Sequence, residues 1–124
     1  MPLYTIATQA GVLTEHAKAG LADSLTILHS EYAKVPKNWV HVIFHEYPAG
    51  NGFTAGQPAA TVSLTLLIRT GRSAEYKREL LVRLWKVIQA TTSAADDQIV
   101  LGIQEVPASQ AMEMGQVMPD LSDS

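Results

Sequence analysis

The chain has 124 residues, 47% hydrophobic and 17% charged, with a net charge of -3, which fits one globular domain and leaves no room for a second. That charge offers no basic surface to nucleic acid and no polybasic patch to a membrane, and aromatics at 6% are too sparse for base-stacking platforms. The absence of cysteine excludes disulfides, thiolate metal sites and a cysteine nucleophile, and is compatible with a cytoplasmic protein.

The first stretch, Met1-Pro2-Leu3-Tyr4-Thr5-Ile6, places a proline directly behind the initiator methionine. Proline is small enough for that methionine to be clipped, so the mature chain would begin with Pro2. Its nitrogen would then be a secondary amine able to donate or accept a proton near neutral pH. An α-amino group titrates near ~8, and burial or nearby cations lower it. Residues 3–8 are β-prone, so Pro2 would sit at the start of a strand, where a missing N–H costs nothing. Met-Pro is also a common way to begin a protein, so the reading depends on what the rest of the chain brings to this end. No basic segment leads into an apolar one as in a signal peptide.

Thr14 caps a helix with Glu15 in its first turn. Ala17, Leu21, Leu25, Leu28 and Tyr32 recur at spacings of three and four, predicting an amphipathic helix that Pro36 stops. Trp39 to Tyr47 reads as a second strand, with Val40, Val42 and Phe44 on one face and His41, Ile43 and His45 on the other. Glycines and prolines make residues 48–58 a loop. Residues 60–68 form a third strand, too short and too interrupted by threonine and serine to cross a bilayer. Ser73 caps a second helix with the stripe Tyr76, Leu80, Leu84, Val87 and Ile88. Gln98 to Val106 is a fourth strand, Pro107 ends it, residues 108–116 read as a short helix, and residues 120–124 are a polar tail.

Strand, helix and strand are thus written twice. An offset of 59 superposes Thr14 on Ser73, Lys18 on Lys77, and Glu46-Tyr47-Pro48-Ala49 on Glu105-Val106-Pro107-Ala108. One domain over 1–124 therefore divides into pseudo-repeats 1–59 and 60–119. Each is a right-handed β-α-β crossover with parallel strands. Two units about a pseudo-dyad give an α/β fold: one mixed four-stranded sheet with both helices on one face. The other face needs a cover the chain does not hold, so a homotrimer burying that face is expected.

If the first strands of the two units lie antiparallel at the centre, Pro2 neighbours Ile68 and Arg69. Arg72 lies just beyond, the last turns of the first helix bring His29 to the same edge, and the fourth strand leaves there carrying Glu113. One amine, two guanidiniums, an imidazole and a carboxylate would share that edge. Each also has a plain reading, as solvated turn arginines, a packed histidine and a surface carboxylate. His41 and His45 are about 13 Å apart on a strand at ~3.3 Å per residue, too far for one metal. Gly50 and Gly52 lack the third glycine and the helix of a phosphate loop. No metal and no cofactor are expected.

These residues resemble the tautomerase superfamily, whose members use an N-terminal proline on a β-α-β building block, and more narrowly the cis-3-chloroacrylic acid dehalogenase group. The similarity is carried by Met1-Pro2-x-Tyr4, His29, Pro48-Ala49-Gly50-Asn51-x-Phe53, Arg69-x-x-Arg72-Ser73-Ala74-Glu75-x-Lys77, and Glu105-x-Pro107-Ala108 leading to Glu113-x-Gly115. It implies that Pro2 is the general acid or base, that Arg69 and Arg72 clamp a substrate carboxylate, that His29 holds the same carboxylate or a neighbouring oxygen, and that Glu113 activates water or shuttles a proton. The dehalogenase pairs its glutamate with a strand-four tyrosine, and here Gly102 stands at that place. The resemblance therefore implies a tautomerase acting on a small unsaturated or 2-oxo carboxylic acid, with low hydratase or dehalogenase activity. The alternatives are a cis-3-haloacrylate dehalogenase, a malonate semialdehyde-type decarboxylase and a non-catalytic trimeric binding protein.

Overall fold

In a computed structural model, which describes residues 1–120, the chain runs β1 (Leu3–Gln9), α1 (Glu15–Ala33), β2 (His41–Tyr47), β3 (Phe53–Thr54), β4 (Gln57–Pro58), β5 (Val62–Arg69), α2 (Ala74–Thr92), β6 (Ile99–Val106), β7 (Met112–Glu113) and β8 (Gln116–Val117). Both long helices begin where the sequence predicts. Thr14 Oγ1 accepts from the Ala17 N–H and Ser73 Oγ from the Tyr76 N–H, each at 3.0 Å, satisfying one of the free donors of a first turn. Both end on a left-handed residue, Lys34 and Ser93.

The main sheet has the order β2-β1-β5-β6. β1 and β2 are parallel, as are β5 and β6, and the central β1–β5 pair is antiparallel with Thr5 opposite Thr65. Strand alternation sends Tyr4, Ile6 and Thr8, and Val62, Leu64, Leu66 and Ile68, to the buried face under the helices. Leu21, Leu25 and His29 of α1 and Leu80, Leu84 and Ile88 of α2 meet them there. Each fully buried aliphatic side chain contributes roughly 1.5–3 kcal/mol. The opposite face, with Leu3, Ile43, Leu67 and Val100, carries no helix, and Val100 is 63% exposed.

Two expectations need correction. Residues 108–116 are not a helix: only Ala108–Gln110 make a short 3-10 turn, and the chain then forms the β7–β8 hairpin. Met114 and Gly115, at φ +53° and +75°, make that two-residue turn, and Ala55 and Gly56, at φ +52° and +73°, make the equivalent β3–β4 turn in the first unit. Positive φ at both central residues is the signature of the tight hairpin turn, and Ala and Met conceal it.

The repeat also does not run at a single offset. The parallel ladders pair Leu3 with His41 and Ser63 with Val100. His41 and Val100 are 59 positions apart, but Leu3 and Ser63 are 60. The second unit is one residue shorter between its first strand and its helix. Pro2 is therefore matched by Val62, not Thr61, and Tyr4 by Leu64. The tail beyond Asp120 lies outside the described residues.

Candidate active site

At the N-terminal end of β1 the chain brings its candidate groups together. Pro2 is buried, lacks the N–H that a strand interior would need, and uses its carbonyl to accept from the His41 N–H at 3.1 Å, tying β2 to the start of β1. The terminal amine, carried by Met1, pairs with Glu113 Oε1. Met1 also lines a cavity of about 30 Å³ with His29, Ile68, Arg69, Arg72 and Tyr76, room for about two waters. Topology explains the convergence. β5 delivers Arg69 beside the start of β1, the turn before Ser73 delivers Arg72, α1 returns His29, and the β7–β8 hairpin folds Glu113 back over the edge.

The electrostatics follow from burial and two guanidiniums. Burial first, and then Arg69, lower the terminal amine to about 6; the Glu113 contact works the other way by favouring the ammonium. His29 is 3% exposed, and burial, the terminal amine and Arg72 lower it to about 4, so its imidazole is neutral at pH 7. Burial pushes the Tyr4 phenol well up. Burial and Arg72 lower Arg69, which stays charged. The Arg69 guanidinium donates from Nη1 to the Pro119 carbonyl at 2.6 Å, and Arg72 lies 4.8 Å over the Tyr76 ring, a cation–π contact. Glu113 Oε2 is buried with no hydrogen-bond partner among the described residues.

Pro2, His29, Arg69, Arg72 and Glu113 are thus all at one edge. His29 continues the buried α1 stripe, at the spacing 21, 25, 29. Gly102 is elsewhere. It pairs with Thr65 on the bare side of the sheet, and a Cβ added there meets nothing within 4 Å. It lies two strands and three rungs from the level of Pro2, about 14 Å at ~4.8 Å per strand and ~3.3 Å per residue. A side chain at 102 therefore cannot stand beside its own chain's Glu113. Sequence reasoning missed three contacts: Tyr4 on His29, Tyr76 under Arg72, and the Pro119 carbonyl on Arg69. A tyrosine on the inward face of a strand does carry a signal, since a buried hydroxyl needs a partner. A backbone carbonyl fifty residues away carries none. Among the described residues no three His, Asp or Glu side chains gather as a metal site, and no helix is long and apolar enough to cross a membrane.

An amine, two arginines, an imidazole and a carboxylate thus share one edge of this doubly written β-α-β sheet. A family model described as "Putative oxalocrotonate tautomerase enzyme" matches residues 1–124, and the chain belongs to that family, within the tautomerase superfamily. Among solved structures it is similar to native Ps01740, at 36% identity and a TM-score of 0.86, covering 90% of this chain and 99% of that one. It is also similar to N1, a member of the cis-3-chloroacrylic acid dehalogenase family, at 30% identity and a TM-score of 0.88, covering 95% and 84%. The fused 4-OT wild-type symmetric trimer shares the fold at 22% identity and a TM-score of 0.83, covering 93% and 94%. No curated protein matches the chain.

Proposed function

We propose that the protein, once Met1 is removed, is a cofactor-independent tautomerase that uses the Pro2 nitrogen as general acid and base on a small unsaturated or 2-oxo carboxylic acid. The observation that carries this reading is the terminal amine in contact with Glu113 and in one cavity with Arg69, Arg72 and His29. While Met1 is attached, the Pro2 nitrogen is an amide with no basic lone pair. Cleavage exposes an amine at a buried position beside Arg69, and burial and that charge, which lower the Met1 amine, favour its free-base form. Arg69 and Arg72 hold the substrate carboxylate, Arg69 exchanging the Pro119 carbonyl for it.

For a 2-hydroxydienoate the step balances within the substrate. The hydroxyl proton passes to the Pro2 nitrogen, the C–O bond becomes a carbonyl, the double bonds shift, and the prolinium returns a proton to carbon. The arginines stabilise the charge that develops on the oxygens. Glu113, with one oxygen unpartnered, supports a weak hydratase or dehalogenase side reaction without help from residue 102 of its own chain. The assembly is a homotrimer that buries the helix-free face, with Ile43, Leu67 and Val100 at its contacts, and it works in the cytoplasm. Ketonisation of a 2-hydroxydienoate by the clipped protein, with light scattering on the same sample, tests both. Equal activity in protein that retains Met1 contradicts the role of Pro2, and a monomer at micromolar concentration contradicts the assembly.

A further inference from the structure

We infer that Tyr4 is a positioning residue that fixes the His29 imidazole as the Nε2–H tautomer, so that it presents a neutral donor to the substrate oxygens. The inference rests on the tautomerase reading above. Tyr4 Oη and His29 Nδ1 are 2.6 Å apart, with the rings edge-to-face at 81°. Tyr4 is fully buried, and His29 is the one hydrogen-bond partner of its hydroxyl among the described residues. A buried phenol has to place its proton on an acceptor, and here that acceptor is Nδ1. The imidazole proton then resides on Nε2. Nε2 has no protein partner among the described residues, and His29 lines the cavity.

The second unit shows that packing alone does not call for this pair. Tyr4 corresponds to Leu64 and His29 to Ile88, both fully buried at the mirrored place under α2. An aliphatic pair fills that space, so a phenol and an imidazole in its counterpart serve another purpose. The charged groups facing His29 are the terminal amine and Arg72. Arg72 is a cation and the amine becomes one when it takes up a proton, so an imidazolium would add a further positive charge beside them. A neutral ring keeps donor character without adding repulsion. A donor on Nε2 also suits an oxyanion better than the acceptor the other tautomer would offer.

The test is nitrogen NMR of the histidine side chains in uniformly ¹⁵N-labelled, Met1-clipped protein at pH 7, combined with ketonisation of a 2-hydroxydienoate. The parent should show His29 as a neutral ring protonated on Nε2. Tyr4→Phe should shift this to a mixture of tautomers and raise KM about 10-fold, with kcat within about threefold. An Nδ1–H or doubly protonated ring in the parent overturns the inference, as does a Tyr4→Phe protein with unchanged tautomer and unchanged KM. If that variant does not fold, the parent spectrum alone decides. If the parent turns over no carboxylate, the tautomerase reading fails while the tautomer remains measurable, so the two failures are distinct.

Discussion

The two ends of the pseudo-dyad are built on the same backbone and filled with opposite chemistry. At one end stand Pro2, Tyr4, His29, Arg69, Arg72 and Glu113. Allowing for the one-residue slip between units, their counterparts are Val62, Leu64, Ile88, Gln9, Leu13 and Thr54. Even the contact between the terminal amine and Glu113 has its image, since Thr61 and Thr54 meet through their hydroxyls at 2.9 Å, both on Gln98. Features that serve folding are kept at both ends. Lys18–Glu46 and Lys77–Glu105 are equivalent ion pairs at 2.6 and 2.9 Å, and the caps and hairpins recur at an offset of 59. The comparison separates what the fold needs from what one end has added to it.

The comparison is broken most severely from the apolar end. Leu64→Ala and Ile88→Ala each remove a fully buried side chain and should cost about 2–5 kcal/mol in chemical denaturation, while kcat/KM of the folded fraction stays at the parent level. A large activity loss from either would mean that the apolar end also takes part in catalysis.

At the polar end the pattern should reverse. Arg69→Ala and Arg72→Ala should each lose ~1.5–3 kcal/mol in kcat/KM on carboxylates, the scale of a charge-assisted bond, with little change in denaturation midpoint. An uncharged ester should lose far less. Equal losses on ester and acid would make both arginines structural.

The smallest effect sharpens the electrostatic side. Burial and Arg69 lower the Met1 amine and should lower the Pro2 amine of the clipped protein in the same direction, so kcat/KM should be level at neutral pH and fall on the acid side as the base is protonated. His29 titrates separately. Its folded value of about 4 lies below the ordinary 6.5, so the unfolded chain takes up this proton first as pH falls. Its contribution to stability is therefore complete above 6.5 and lost between 6.5 and 4. The difference in urea midpoint between parent and His29→Gln should change across that window. A constant difference would mean that the ring is not held neutral.

Much of this was legible in the sequence because it was written twice. Caps at Thr14 and Ser73, stripes at Leu21-Leu25 and Leu80-Leu84, and alternating strands fix a β-α-β unit, and two units fix the central antiparallel pair that brings Pro2 to Arg69. What stayed hidden depends on single-residue register or on backbone groups. The slip from 59 to 60 changes which residue of β5 matches Pro2, and the ladder reveals it. Met114-Gly115 hides a hairpin turn that Asn-Gly would have announced. Gly102 aligned by counting with the dehalogenase's tyrosine, yet strand parity places it on the bare face, and β5 stands between its strand and β1.

The central claim is that the polar end works through the nitrogen of Pro2, and covalent labelling tests it most directly. Incubation of the clipped protein with a halogenated alkynoic acid should add one equivalent to the N-terminal peptide at the Pro2 nitrogen and abolish ketonisation, with Arg69→Ala labelled more slowly because the acid is held less well. Labelling at another residue, or full activity in a protein quantitatively modified at Pro2, would contradict the account.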